Sequence, residues 1–246
     1  MRNERIKTAA GRLLDVLYPP GSKCLACGDP RRASPQDGLC PACRKALREE
    51  RVPASGCSRC LTYVPPGGVC PLCRQNTMPD VERVYAPFRY LPRSRALVTG
   101  LKFRGTNEAL PLLADTMADA LTDRDFDVMI PVPLHPKRLA GRGVNQAALL
   151  SQAVSLRTGI PVAEPLQRVR DTRPQSGLVR ARRRENVADA FQMLPGAEVR
   201  GKRCLLVDDV RTTGHTAQAC AGVLRGAGAA SVRLLCPCVV WRFKGE

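Results

Sequence analysis

The chain has 246 residues, 44% hydrophobic and 4% aromatic, and carries a formal charge of +17. That hydrophobic content excludes wholesale disorder, and no apolar run approaches the length needed to span a bilayer. The length admits one large domain or two modest ones. The basic surplus favours polyanionic partners such as nucleic acid or phosphorylated small molecules, although basic surfaces also occur in proteins that bind nothing acidic.

The chain opens with MRNERIKTAAGRLLDVLYPP, whose one apolar stretch, Leu13 to Tyr18, is interrupted by Asp15. This reads as an amphipathic first helix, not a secretory signal, and points to a cytoplasmic protein. From Pro19 to Pro79 the sequence is dense in Cys, Pro and Gly and poor in large aliphatics, so it cannot build a conventional core and needs a staple. The staple is legible. Eight of the 12 cysteines fall in CxxC pairs: Cys24/Cys27, Cys40/Cys43, Cys57/Cys60 and Cys70/Cys73. In a cytoplasmic chain this pattern favours metal over disulfides. Each CxxC brings two thiolates to one ion and a second pair closes a tetrahedral site, which predicts two structural zinc ions. Tandem ribbons are the simplest pairing, and an interleaved pairing has the same spacing. Counting eight thiolates and two divalent ions lowers the net charge to about +13. Residues 1–79 form one unit on this reading, and residues 80–246 the other.

Past Val81 the pattern changes to strands alternating with helices. VERVYAPFRYL alternates like a strand pair or hairpin. RSRALVTGLKF and NEALPLLADTMADALTD have helical spacing, and FDVMIPVPL is a buried strand. NQAALLSQAVSLRTG is a helix closed by Gly159, and IPVAEPLQRV is extended. An arginine-rich stretch follows, then KRCLLVDDV as a strand, TAQACAGVLRGAG as a helix and SVRLLCPCVVWRF as a strand. Such alternation predicts an α/β fold with a parallel sheet flanked by helices. The four remaining cysteines, Cys204, Cys220, Cys236 and Cys238, occupy apolar positions and are expected in the core.

The stretch CLLVDDVRTTGHTAQ, residues 204–218, carries the chemistry. A strand buried on both faces runs into Asp208 and Asp209, at the edge where open α/β sheets bind ligands. After Val210, the run RTTGHT offers consecutive backbone N–H groups, a glycine for the turn, three threonine hydroxyls and the start of a helix. Together these make a cradle for one phosphate. The carboxylates upstream suit sugar hydroxyls. A ligand with a phosphate at one end and a ribose diol nearby satisfies both halves.

The buried strand, the paired aspartates and the TTGxT turn resemble the motif of type I phosphoribosyltransferases, which bind phosphoribosyl pyrophosphate. Residues 127–154, residues 170–191 and the amino-terminal ribbons extend the resemblance to the ComF family, bacterial proteins linked to natural competence and DNA uptake. The resemblance implies a type I phosphoribosyltransferase fold after the ribbons, and magnesium bound with phosphoribosyl pyrophosphate. It implies that Arg211, Thr212, Thr213, Gly214, His215 and Thr216 hold the 5-phosphate, His215 through its backbone. Asp208 and Asp209 would engage the ribose diol and the magnesium shell as the catalytic carboxylates. Lys137 and Arg138, on the basic turn after the 128–132 strand, fall where related transferases place the pyrophosphate loop. His135 has the surroundings of a structural residue. Related transferases also place a loop that closes over the ligand within the arginine-rich stretch. Seven arginines there exceed what one pyrophosphate needs, so Arg180, Arg182, Arg183 and Arg184 are the expected contacts to single-stranded DNA, against the alternative of a solvated basic face.

Three functions follow from this reading. The first is a DNA-uptake or DNA-processing protein, with competence or DNA-processing proteins as partners, that transfers phosphoribosyl to an acceptor the sequence does not name. The second is a non-catalytic sensor or DNA-binding adaptor that retains the ligand pocket. The third is a nucleobase salvage enzyme, which would need neither zinc ribbons nor so much positive charge.

Overall fold

The computed structural model describes residues 23–30, 33–34, 37–53, 56–62, 68–74, 78–103, 108–171 and 189–241. The expected first helix at Leu13 to Tyr18 lies outside these. Four strands form the central sheet: β1 (Val84–Tyr85), β3 (Val128–Pro131), β6 (Arg203–Val207) and β7 (Ser231–Leu235). Their order is β1-β7-β6-β3, and every pairing is parallel. A parallel bridge from Met129 to Val162 extends the sheet by one position beyond β3. β6 reads Arg-Cys-Leu-Leu-Val with its last four residues buried, as a central strand covered on both faces requires.

Alternation along the strands divides the interior into two cores. Val128, Ile130, Cys204, Leu206, Val232 and Leu234 face one side, and Met129, Leu205, Val207 and Leu235 the other. On the first side lies helix α7 (His215–Gly226), with Ala217, Cys220, Ala221 and Leu224 inward. On the second lie α3 (Pro92–Phe103), α4 (Leu110–Ala120) and α6 (Gln146–Thr158). Cys204, Cys220, Cys236 and Cys238 are fully buried, as expected of core residues. Burial pushes the Cys204 and Cys236 thiols up to about 11 and about 12. They stay protonated and inert.

Two strand readings change. The 81–91 segment is not a hairpin. β1 pairs with β7, while β2 (Phe88–Arg89) pairs with β8 (Cys238–Val239), again in parallel. The carboxyl-terminal strand is likewise split in two. Registers Tyr85↔Leu235 and Phe88↔Cys238 set Pro87 level with Pro237. Proline has no N–H to give to a ladder, so both strands break at the same height. Residues 160–169 are extended as expected, and within them β4 (Leu166–Arg168) joins β5 (Phe191–Met193) in an antiparallel pair.

The ribbons are built into the sheet domain. Cys24, Cys40 and Cys43 lie in the core under α3, α4 and α6. Cys57, Cys60, Cys70 and Cys73 lie in the core under α7. The first ribbon's helix, α1 (Pro41–Glu49), ends at Glu50, whose buried carboxylate accepts the backbone N–H of Arg93 (2.9 Å) and Ser94 (2.7 Å) at the start of α3. Capping a helix start this way contributes about 1 kcal/mol and ties the ribbon to the sheet layer.

Candidate functional site

Each cysteine group is complete within its own ribbon. Cys24, Cys27, Cys40 and Cys43 bring their Sγ atoms within 4.8 Å of one another, and so do Cys57, Cys60, Cys70 and Cys73. The knuckles therefore pair in tandem. Tetrahedral zinc with Zn–S near 2.3 Å sets its sulfurs about 3.8 Å apart. The Cys27–Cys40 and Cys60–Cys70 separations, 3.9 and 3.5 Å, fit that geometry. In both ribbons the second knuckle is Cys-Pro-x-Cys opening a helix, α1 in one and the short α2 (Pro71–Arg74) in the other. Proline at the first helical position needs no hydrogen-bond acceptor. The freed turn aims backbone N–H groups at sulfur: Cys40 N–H to Cys24 Sγ (3.3 Å) and Cys70 N–H to Cys57 Sγ (3.4 Å). Hydrogen bonding with Cys73 is the first cause that brings the Cys60 thiol down to about 4, opposed by burial and helped by Thr62 and the Arg211 charge. The same bond pushes Cys73 up. Four converging sulfurs with no open position make structural sites, and their donor set is that of zinc.

The second site lies at the carboxyl edge of the sheet. β3 and β6 run side by side with Pro131 opposite Val207, so the turns that follow them emerge together. After β6, Asp208 N–H donates to Leu235 O (3.1 Å), and the Asp208 carboxylate accepts the Asp209 N–H (2.8 Å). The chain then turns through Thr212 and Thr213 to Gly214, at φ +84°. Helix α7 starts at His215, with its amino terminus and its partial positive charge at the turn. Thr213 Oγ1 is buried there without a hydrogen-bond partner. Such an orphan in a row of backbone donors fits a phosphate ligand.

After β3, Lys137 and Arg138 are not on an irregular turn. They lie in the first turn of α5 (Pro136–Arg142). His135 is its N-cap, with Nδ1 accepting the Lys137 N–H at 3.3 Å. The proline that follows it can occupy the first helical position, which is why the turn winds into a helix. Arg138 pairs with Asp171 at 3.0 Å.

Arg168, on β4, was not singled out among its neighbours by the sequence. Its guanidinium lies over the Phe191 ring, 5.3 Å from the centroid. Burial and then the Arg138 charge push its pKa down, while Asp171 and Asp208 act in the opposite sense. Arg168, Arg138 and Asp208 thus share one electrostatic neighbourhood. Its only sequence signal was arginine in an otherwise half-buried strand.

Arg211 takes a different direction from the threonines beside it. It is 5% exposed, and Nη2 donates to Cys60 O (2.6 Å) and Thr62 Oγ1 (3.0 Å). Its side chain runs from the loop into the second ribbon. Arg180, Arg182, Arg183 and Arg184 lie outside the described residues.

The chain matches the family model of the double zinc ribbon domain over residues 13–74 and that of the phosphoribosyl transferase domain over residues 139–244. It is 33% identical over 233 residues to DNA utilization protein YhgH of Salmonella typhimurium, covering 91% of this chain and 99% of that one. It is 31% identical over 209 residues to competence protein F of Haemophilus influenzae, covering 81% and 89%. Among solved structures, glutamine phosphoribosylpyrophosphate amidotransferase from B. subtilis is 22% identical, with a TM-score of 0.38, over 56% of this chain and 30% of that one. No helix among the described residues is long and apolar enough to cross a membrane. With double zinc ribbon and phosphoribosyl transferase domain in one chain, matched almost end to end by these relatives, the protein belongs to the ComF family.

Proposed function

We propose that this protein binds phosphoribosyl pyrophosphate with magnesium at the carboxyl edge of β3 and β6, binds single-stranded DNA on its basic surface, and acts in DNA uptake or DNA processing. The observation that carries the ligand half is the 208–216 turn. Paired carboxylates, a row of backbone donors, the orphaned Thr213 hydroxyl and the α7 amino terminus follow one another along the same edge. The DNA half is supported by the +17 charge and by relatives named for DNA utilization and competence.

In this reading the 212–216 backbone and hydroxyls grip the 5-phosphate, and Asp208 and Asp209 take the ribose diol. Lys137, Arg138 and Arg168 face the pyrophosphate. Asp208 and Asp209 would also hold magnesium brought in with the ligand, whose charge would neutralise the pyrophosphate. Where an acceptor attacks the anomeric carbon, positive charge grows on the ribose as pyrophosphate leaves. The aspartates then stabilise the sugar, and the arginines stabilise the leaving group.

Calorimetry with phosphoribosyl pyrophosphate and magnesium tests this. Asp209→Asn keeps the size and removes the charge, so binding should weaken by about 1–3 kcal/mol. Unchanged affinity in both Asp208→Asn and Asp209→Asn removes the site. Pyrophosphate release, screened with free bases and with oligonucleotides, separates transfer from sensing.

A further inference from the structure

The second ribbon and the segment that follows it meet the phosphate turn and the start of α7 at three points. Arg211 spans from the turn to Cys60 O and Thr62 Oγ1. Gly214, in the middle of the turn, lies against Met78, and a Cβ there would come 2.1 Å from Met78 Sδ. Gln218, in the first turn of α7, holds Asp80 from both sides. Its Oε1 accepts the Asp80 N–H at 3.1 Å, and its Nε2 donates to the Asp80 carboxylate. Arg211, Gly214 and Gln218 are therefore held by Cys60, Thr62, Met78 and Asp80.

Two features accompany this contact. One is the conformation of Leu61, at φ +59°, the one non-glycine residue with positive φ among those described. It follows the first CxxC of its ribbon. The equivalent residue of the first ribbon is Gly28, at φ +77°. Both ribbons thus turn left-handed after their first CxxC, and in the second the turn is taken by a side-chain-bearing residue, which is strained there. Here it lies between Cys60 and Thr62, the two residues that receive Arg211, and Leu61 packs against the α7-side core. The other feature is charge. Four thiolates around one divalent ion would carry a formal charge of about −2, a counter-charge for the buried guanidinium centred on the group that includes Cys60, whose carbonyl it bonds. The first ribbon's described cysteines lie in the opposite core, and among the described residues none of it bonds the turn.

We infer that Arg211 is a positioning residue that couples the second zinc site, and not the first, to the phosphate turn, so that metal in that ribbon sets the turn and a phosphate ligand at the turn locks the metal in. Coupling of this kind is reciprocal. The inference rests on the ligand reading above for its second half only.

The test uses the full-length, zinc-loaded protein as wild type, Arg211→Met and Thr62→Val. Hydrogen exchange of the 208–216 amides is followed without ligand. Zinc release to a chromophoric zinc-selective chelator is followed with and without phosphoribosyl pyrophosphate in excess magnesium. In wild type the ligand should slow one of the two release phases by about five- to tenfold. Arg211→Met should keep two zinc ions at the start, exchange the turn about tenfold faster, and lose the ligand effect on release. Thr62→Val, which removes one acceptor, should move both readouts the same way by a smaller factor. It decides the matter if Arg211→Met does not fold. Wild-type exchange and a retained ligand effect in the variants would overturn the coupling. A wild type that binds no phosphoribosyl pyrophosphate would instead overturn the ligand reading, while the exchange comparison still decides whether Arg211 sets the turn.

Discussion

Gly214 is the residue on which the phosphate turn depends most. Its φ of +84° lies where an L side chain is strained, and Met78 fills the space a Cβ would need. Gly214→Ala should therefore cost about 1–2 kcal/mol for the backbone alone. For a chain of this size that is a fall of about 2–8 °C in Tm. Because the strain falls on the phosphate turn itself, ligand affinity should fall as well. The double variant Gly214→Ala, Met78→Ala separates the causes. Removing the thioether should relieve the clash but not the backbone strain, so only part of the loss should return in thermal melts. A Gly214→Ala protein that melts like wild type would mean that the turn adapts freely. Residue by residue, this loop was legible because all its parts are contiguous: carboxylates, donors, hydroxyls and glycine occupy 208–216. Arg211 was not. Its partner Cys60 is 151 positions away, and no local pattern tells a side chain that points at a ligand from one that points at another ribbon.

At the scale of elements, the CxxC pattern gave four knuckles, enough for two four-cysteine sites, but left their pairing open, because tandem and interleaved sites have the same spacing. Packing decides it. One group sits in each core, on opposite faces of the sheet. Two zinc ions per chain are expected by native mass spectrometry. Cys24→Ser should leave one and destabilise the α3–α4–α6 side by several kcal/mol, since folding around a structural zinc depends on the metal. Retention of both ions in Cys24→Ser would contradict Cys24 as a zinc ligand. The misread hairpin has a related cause. Two short apolar runs separated by Ala86-Pro87 look the same whether they fold back on each other or run on past a break. The second possibility is realised because β7 and β8 supply a partner broken by its own proline. The helix at 136–142 was hidden for a similar reason. His135 followed by proline reads as a turn until its cap to the Lys137 N–H is seen.

For the molecule as a whole, the central question is how +17 is used. Part of the described basic charge is occupied locally. Arg44 pairs with Asp37, Arg138 with Asp171, Arg203 with Asp125 and Asp127, and Arg233 with Glu82 and Asp123. Charges engaged this way hold the fold together and contribute less to a distant polyanion. Arg180, Arg182, Arg183 and Arg184, which chain order places between β4 and β5, lie outside the described residues. If these contact DNA, each phosphate they neutralise releases counterions, and oligonucleotide affinity should fall steeply as salt rises. Changing Arg182, Arg183 and Arg184 together to alanine should then flatten the slope of log affinity against log salt by up to about three units. Phosphoribosyl pyrophosphate, held by the separate 208–216 turn, should bind the triple variant as it binds wild type. Measuring both affinities across a salt series distinguishes the two sites. Equal oligonucleotide slopes for wild type and variant would show the arginine run to be solvated surface and move the DNA contact elsewhere on the basic face. A joint loss of both affinities would instead show that these arginines close over the small ligand.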